Sequence, residues 1–354
     1  DRTYNNQTIN SDATWATHPA FTFGNRELNG IWVGKFETTG RRGTPTVKPN
    51  QQAGVGEFIG TNYSTAKNIG VEDADNTGGN TISGGITQNY HNLNSYNSHM
   101  LKNSEWGAVT YLSASSYGAG VNNIQPNNAT PRISTGGVFK WLLGITGCGP
   151  SADGKLGTYS DGTTMGTTTI ESPTACSQDI SRAYNGSLGQ LASTTNNIYG
   201  IYDMSGGSAE YVMGNLTSQE DITEPSNNTM MVAARSPYVD LYKVDPNGFG
   251  VNSNNPGSKP AWSNSSDFRY SNNDVCTWET CGGQALHETK LAQSTTSYNQ
   301  SWGDSYTYFS YGNSRWLRRG GYAGSGTGIF ATEYDIGGLN DAYGSRAVMI
   351  SSVQ

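Results

Sequence analysis

Charge is scarce in this sequence, and that scarcity excludes several classes of protein. Only 14% of the 354 residues are Asp, Glu, Lys or Arg, and the formal net charge is -7. A basic face that could follow a phosphate backbone is not expected from this composition, so we expect no nucleic-acid partner. Disordered chains combine high net charge with few aromatic residues. This chain has 21 Tyr, 8 Trp and 9 Phe, enough to build a core.

Long apolar runs are also missing. No stretch approaches the ~20 apolar residues that a membrane-spanning helix requires, so we expect no membrane insertion by this chain. Gly, Asn, Ser and Thr are abundant instead, which favours short strands joined by turns over long helices. This composition, together with few lysines, is typical of extracellular, cell-surface or virion proteins. We therefore expect one of those locations.

Cysteine is rare, but the count is even. The four cysteines permit two disulfides, and their order favours Cys148–Cys176 and Cys276–Cys281 among three possible connectivities. A zinc site is the alternative, and the absence of CxxC spacing argues against it. Disulfides would indicate an oxidising compartment.

The chain is predicted to contain one large domain after a polar arm. Residues 1–16 form an N-terminal arm or linker, and residues 17–354 form a single elaborated domain. Composition places insertions near 40–97, 144–196 and 214–300. Short strands or helices are expected inside them, because structureless loops of that length are unusual.

Four segments carry the clearest secondary-structure signals. Alternation over Ile31–Glu37 predicts a central strand, and an apolar face after Ser98 predicts a helix to about Ser113, with Ser98 as its N-cap. Residues 138–143 predict a strand or a short helix. Residues 197–213 predict a strand, a tight glycine turn and a second strand.

The C-terminal stretch 316–349 has a distinctive composition. Its two ends mix arginine and glycine with large apolar residues, while about two dozen residues between them are mostly small, polar or tyrosine. We expect the few large apolar residues there to be anchors: Ile329, Phe330, Ile336 and Leu339. Tyrosine with small polar residues is typical of a binding face. The alternative is an ordinary glycine-rich loop between two final strands.

Four motifs, in order, resemble the formylglycine-generating-enzyme-like proteins over roughly residues 17–350. They are Gly30–Glu37, Asn103–Leu112, Gly200–Val212, and Arg319-Gly320-Gly321 followed by Gly344–Val348. Each motif alone is weak, and four in order are fairly specific. The resemblance implies an α+β fold of the C-type lectin type, with short mixed strands, about two helices and long loop insertions.

The resemblance does not extend to the enzyme's chemistry. The family's catalytic cysteines follow its Arg-Gly-Gly element, whereas residues 322–330 here contain no cysteine. A thiolate is the required nucleophile and copper ligand, so we expect no enzymatic activity and no catalytic residues. The family glutamate that binds calcium in some members corresponds to Glu210. Gly207 replaces the motif's asparagine, and a buried structural role for Glu210 is the alternative to calcium.

A second branch with this fold, the variable proteins of diversity-generating retroelements, is similar to the chain in the composition of its C-terminal segment. Their diversified sites exclude Lys, Gln, Met and Trp, and residues 322–345 contain none of these. The resemblance implies binding of a protein or glycan receptor through residues about 313–345, by a phage protein or adhesin. Nine residues are predicted to face that partner: Tyr322, Ser325, Thr327, Thr332, Tyr334, Asp335, Asn340, Asp341 and Tyr343.

Beneath that face we expect a framework of residues that hold it in place. The predicted framework residues are Trp316, Arg318, Arg319, Gly320, Gly321 and Arg346. Arginine suits such sites, because its planar guanidinium binds carboxylates or carbonyls in two places at once.

Two other functions stay open. They are a structural decoration subunit of a phage tail or pilus and a divergent formylglycine-generating-type oxidase.

Overall fold

The computed structural model describes part of the chain, in fourteen segments. They are residues 17–24, 26–41, 44–67, 69, 96–120, 124–127, 132–135, 138–141, 144–150, 180–217, 237–243, 282–286, 316–322 and 325–351. The predicted N-terminal arm, and the residues Cys176, Cys276 and Cys281, lie outside these segments. Cys148 is disulfide-bonded, and its pairing with Cys176 stays a prediction.

The described residues form an α+β fold, as predicted. Its two α-helices are α1 (Ile59–Lys67) and α2 (Asn103–Ala114). Short 3-10 helices cover Pro19–Phe21, Ile180–Arg182 and Gly189–Ala192. The strands are β1 (Thr22–Phe23), β2 (Arg26–Glu27), β3 (Trp32–Val33), β4 (Thr39–Arg41), β5 (Thr44–Thr46), β6 (Tyr96–Met100), β7 (Arg132–Thr135), β8 (Val138–Trp141), β9 (Ala209–Thr217), β10 (Asp240–Lys243), β11 (Trp316–Tyr322), β12 (Ser325–Asp335), β13 (Tyr343–Ser345) and β14 (Ala347–Ser351).

The largest sheet has the order β10-β9-β11-β12, and β13 also pairs with β9. Strand β11 is antiparallel to both β9 and β12, while β10 and β13 run parallel to β9. A three-stranded sheet of order β3-β14-β6 lies beside it. The C-terminal strands therefore belong to both sheets and connect distant parts of the chain.

Apolar side chains cover both faces of the large sheet. Strand alternation sends Val212 and Leu317 to one face, where they pack with Trp106 of α2. Tyr211 and Trp316 point to the other face, into a second buried cluster that includes Ile59 of α1. Helix α2 thus packs on one face of the large sheet, while α1 lies mainly against β6 and β14 of the three-stranded sheet and reaches the other face of the large sheet through this second cluster.

The predicted central strand at Ile31–Glu37 is wrong in length and position. Only Trp32–Val33 is a strand, and it lies at the edge of its sheet, paired with β14. After Val33 the regular strand ends, although Gly34 still donates its backbone N–H to the Ala347 carbonyl at 2.9 Å. The side chain of Glu37 enters the polar interior at 0% exposure.

The predicted helix is present, but its start is four residues later than expected. Ser98 lies inside β6 and pairs with Met349, so it cannot cap a helix. The helix begins at Asn103, and the Glu105 carboxylate accepts a hydrogen bond from the Lys102 backbone N–H at 2.8 Å. A glutamate at the third helical position commonly satisfies that otherwise unpaired amide.

Helix α1 was not predicted, because its sequence has low helix propensity. Residues 59–67 contain Gly, Asn and three β-branched residues, all weaker helix formers than Ala or Leu. Ile59, Tyr63 and Ala66 are nonetheless spaced along one helical face, and all three are buried in the second cluster, between α1 and the strands of both sheets. Tertiary packing stabilises this helix.

The region 197–213 was predicted as two strands, and only the second is present. The Tyr202 backbone N–H donates to the Lys35 carbonyl, but no strand pairing forms there. Gly206 and Gly207 have φ values of +75° and +76°, and β9 begins at Ala209. The predicted strand or helix at 138–143 is a strand, β8, paired with β7. In the described residues no helix is long and apolar enough to cross a membrane.

Candidate functional site

Arg346 lies at the centre of a buried ionic cluster. Its side chain is 0% exposed and ion-paired with Glu210, with Nε donating to Oε2 at 3.1 Å and Nη2 donating to Oε1. The guanidinium also donates to the carbonyl oxygens of Gly34 at 2.7 Å and Tyr202 at 2.8 Å. One side chain after β13 therefore fixes β9 and two loops.

Two further buried carboxyl groups complete the cluster. Glu37 accepts hydrogen bonds from the Ser208 backbone N–H at 2.9 Å, and its other oxygen lies 2.7 Å from the Ser208 hydroxyl. Asp203 accepts from Asn127 at 2.8 Å and from the Gly147 backbone at 2.9 Å. We call Glu37, Asp203, Glu210 and Arg346 the ionic cluster.

One guanidinium cannot balance three buried carboxylates. Burial raises the pKa of Glu37 well above its ordinary value of 4.5, and the negative charges of Glu210 and Asp203 raise it further. Burial also raises the pKa of Glu210 to about 7, although the ion pair with Arg346 opposes this shift. The raised pKa means that Glu37 keeps its proton to a higher pH than an exposed glutamate does, and the protonated carboxyl can donate to the Ser208 oxygen.

The ionic cluster bears on the predicted calcium site. Both Glu210 oxygens accept hydrogen bonds from Arg346, and a guanidinium at this distance repels a divalent cation. No group of three or more metal-ligating side chains occurs among the residues that the structure describes. In this structure Glu210 therefore has the buried structural role, paired with Arg346, that is the alternative to calcium binding. Calcium binding stays a prediction.

The other two predicted framework arginines differ in their surroundings. Arg319 is 1% exposed and donates to the Ala285 carbonyl at 3.0 Å, on the α2 side of the sheet. Arg318 lies on the opposite side, with an ion pair to Glu333 at 2.8 Å and its guanidinium 3.8 Å above the ring of Tyr343. Arg318 therefore holds β12 against β11, while Arg319 connects β11 to the segment that contains Ala285.

The two residues after Arg319 are glycines because the backbone there adopts conformations that other residues rarely adopt. Gly320 and Gly321 have φ values of +82° and +65°, which residues with a Cβ rarely adopt. A Cβ on Gly320 would also lie 3.1 Å from the Trp106 ring. The Arg-Gly-Gly sequence is therefore a packing requirement between β11 and α2. Trp316 is likewise fully buried, on the opposite face.

The loop 336–342 follows β12 and is fixed at its start by Asp335. One carboxylate oxygen of Asp335 accepts from the backbone N–H groups of Gly337 at 2.9 Å and Gly338 at 3.1 Å. The same oxygen accepts from the Tyr211 hydroxyl at 2.5 Å. Burial and the negative charge of Asp335 raise the pKa of Tyr211, so its hydroxyl remains a donor.

The end of the 336–342 loop is fixed by Asn340. Its side-chain oxygen accepts from the Ala342 N–H at 2.8 Å, and its backbone oxygen accepts from Gly56 and Tyr343, both at 3.0 Å. Gly337 also accepts from the Ile59 backbone at 3.2 Å. The loop is thus bonded to β9, to the start of α1 and to itself.

This rigid loop exposes two aliphatic side chains. Ile336 is 52% exposed and Leu339 is 56% exposed, and Asn340 and Asp341 beside them are also exposed. Ile336 and Leu339 were predicted as core anchors, which is wrong. Composition alone does not show whether an aliphatic residue in a loop is buried or exposed.

The nine residues predicted to face a partner separate into groups. Thr332 is 1% exposed, so that prediction is wrong: its strand position points inward. Asp335 is engaged in the turn described above, and Tyr334 and Tyr343 are half-buried. Asn340 and Asp341 are exposed. The side chains of the remaining three, Tyr322, Ser325 and Thr327, lie outside the described part of the structure.

Comparison with known proteins gives no assignment. No protein-family model matches this chain, and no curated protein matches it significantly.

Proposed function

We propose that this chain is a non-enzymatic binding module of the C-type lectin type, displayed outside the cell or on a virion. Its C-terminal face, centred on the 336–342 loop, binds a receptor. The observation that carries the proposal is the pair Ile336 and Leu339, two exposed aliphatic side chains on a loop bonded at both ends. The disulfide at Cys148 agrees with an oxidising location.

The loop has the physical properties of a preorganised contact surface. Since Ile336 and Leu339 are about half exposed, burying the rest of each side chain would stabilise a complex by ~0.7–1.5 kcal/mol. A loop already held by Asp335 and Asn340 loses little conformational entropy on binding, so more of that energy appears as affinity. A flexible loop with the same residues would bind more weakly.

The chemistry of the loop favours a protein receptor over a glycan. Aliphatic side chains fit an apolar depression on a protein, whereas sugars need aromatic faces and hydrogen-bonding groups. Asp341 in the loop and Glu57 beside its anchor at Gly56 are exposed, and the nearby Arg318 is engaged by Glu333. The complementary receptor surface is therefore apolar with basic residues around it.

The chemistry of the enzyme branch is not part of the proposal. Residues 322–330 follow the Arg-Gly-Gly element and contain no cysteine. The exposed loop offers no thiol or hydroxyl nucleophile, since its side chains are aliphatic, amide and carboxylate. A peptide-cysteine oxidation assay with copper tests this directly, and turnover would contradict the proposal.

Binding experiments with paired variants test the proposed site. A receptor captured by the wild-type protein from cell-surface extracts is titrated against the double variant Ile336→Ser/Leu339→Ser. We expect affinity to fall by about 10- to 100-fold, that is ~1.4–2.8 kcal/mol. Ile180→Ser is the matched control, because Ile180 is 82% exposed on another element. Equal affinities for all three proteins would contradict the site.

Electron microscopy at high protein concentration separates the proposal from the tail or pilus alternative. A binding module remains dispersed under these conditions. Filaments or rings that disappear in the Ile336→Ser/Leu339→Ser variant would show instead that the loop joins copies of this chain.

A further inference from the structure

Two other large side chains are even more exposed than those of the 336–342 loop. Tyr117 is 88% exposed and Tyr199 is 86% exposed. Neither residue belongs to the C-terminal face, and the proposed function does not use them. Exposed aromatic side chains on ordered backbone are characteristic of binding surfaces.

The turn that carries Tyr117 is closed by hydrogen bonds. The Ser115 hydroxyl donates to the Leu112 carbonyl at 2.6 Å and accepts from the Tyr117 backbone N–H at 3.2 Å. Gly118 donates to the Ser115 carbonyl at 3.0 Å, and Gly120 donates to Ser113 at 2.9 Å. The backbone of Tyr117 is therefore held at the C-terminal end of α2.

The loop that carries Tyr199 is held in a similar way. The side-chain oxygen of Asn197 accepts from the Tyr199 N–H at 2.8 Å and from the Thr195 hydroxyl at 2.9 Å. The Ser193 hydroxyl bonds to the Asn197 backbone on both sides, at 2.8 and 3.0 Å. A side chain presented from such a loop contributes contact area without the cost of ordering the backbone.

The two loops adjoin and contain no charged residue. Ala119 donates its N–H to the Thr194 carbonyl at 2.8 Å, which joins one loop to the other. We call residues 111–120 and 191–201 the tyrosine surface; they include no Asp, Glu, Lys or Arg. Lys35 lies beneath this surface, donating to the Ile198 carbonyl, with its ammonium 5.2 Å from the ring centre of Tyr184.

We propose that the tyrosine surface binds an uncharged oligosaccharide. The rings of Tyr117 and Tyr199 offer flat faces for the C–H faces of pyranose rings. The surrounding Ser, Thr and Asn groups and backbone atoms can bond to sugar hydroxyls, the combination of apolar area and a few polar groups that ligand sites use. Residues 111–120 and 191–201 themselves offer no ion-pair partner for sulfated, phosphorylated or carboxylated ligands, and the nearby Lys35 ammonium is engaged by the Ile198 carbonyl. This site is independent of the 336–342 loop.

Titration with defined sugars tests the proposal. The probes are hexasaccharides of β-1,4-linked glucose, β-1,4-linked N-acetylglucosamine and α-linked mannose. Their binding is measured by calorimetry and saturation-transfer NMR at sugar concentrations up to about 10 mM. We expect at least one to bind with a Kd of ~0.1–10 mM. Tyr117→Ala and Tyr199→Ala should each weaken that binding at least about 10-fold, while the Phe variants at both sites stay within about 3-fold, because stacking needs only the ring.

The controls distinguish recognition from folding. Both tyrosines are exposed, so their variants should change the unfolding free energy by less than ~0.5 kcal/mol. Ile180→Ala should bind like the wild type. Binding by none of the three sugars, or unchanged binding by both Ala variants, overturns the proposal. It is also overturned if sedimentation shows self-association that Tyr117→Ala or Tyr199→Ala abolishes, because a second copy then covers the surface.

Discussion

The ionic cluster and the 336–342 loop are close in sequence and opposite in character. Arg346 and Glu210 are charged and 0% exposed, while Ile336 and Leu339 are aliphatic and more than half exposed. Each reverses the usual distribution of residue types between interior and surface. Polar interiors persist where the buried groups have partners. The chain therefore passes from an exposed apolar loop to a buried ionic cluster within about ten residues.

Replacing the cluster's cation should produce the largest effect on stability. Arg346→Met leaves Glu210 buried without a cation and removes the donors for two carbonyl oxygens. We expect a loss of ~3–5 kcal/mol in the free energy of unfolding, measured by chemical denaturation. Lys48→Met, an exposed substitution, should change it by less than ~0.5 kcal/mol. A loss below 1 kcal/mol for Arg346→Met would show that the cluster is not a structural unit.

The protonation of Glu37 should make stability depend on pH. The folded protein retains a proton on Glu37 that the unfolded chain releases above its ordinary pKa of 4.5. The free energy of unfolding should therefore fall as pH rises above 4.5, until the folded pKa is passed, by at most ~1.4 kcal/mol per pH unit for this group. Glu210 acts in the same direction between 4.5 and about 7.

Glu37→Gln should flatten that dependence. The amide can still donate to Ser208 and accept its backbone N–H, but it does not titrate. Denaturation curves at pH 5.0 and 7.5 measure the difference for both proteins. Identical differences in the variant and the wild type would show that Glu37 is ionised in the folded protein.

The contact between Tyr211 and Asp335 links the interior to the loop. Tyr211→Phe removes the hydroxyl that donates to Asp335 and to the Gly338 carbonyl. We expect a loss of ~1 kcal/mol in unfolding free energy and faster hydrogen exchange at the Gly337 and Gly338 amides. Tyr199→Phe is the control and should change neither. Unchanged exchange in Tyr211→Phe would mean that the loop is fixed without this contact.

The exposed loop itself should have the smallest effect on stability. Leu339→Ser removes an apolar side chain that is 56% exposed, so we expect a change within ~0.5 kcal/mol. Its effect on receptor binding should be at least about 10-fold. A stability loss above 1 kcal/mol would place Leu339 in the core and contradict the comparison.

Sequence alone predicted the parts of this fold that depend on local pattern. Helix α2 and strand β8 follow from local periodicity. The α+β class, and the arginines and glycines of the last strands as a framework, were expected from the resemblance. Helix α1 was missed because packing overrides its weak propensity. The ionic cluster was not foreseen as a unit, since Glu37 and Ser208 are 171 residues apart. Exposure of Ile336 and Leu339 depends on hydrogen bonds that no sequence pattern shows.

Sequencing this gene across a natural population tests the central claim most directly. If the C-terminal face is a diversified receptor site, substitutions should concentrate at adenine-bearing codons for the exposed loop residues, such as Ile336, Leu339, Asn340 and Asp341. Arg319, Gly320 and Arg346 should stay unchanged, because their burial and bonding leave no substitute. Substitutions scattered evenly along the chain, or concentrated in the ionic cluster, would contradict the account.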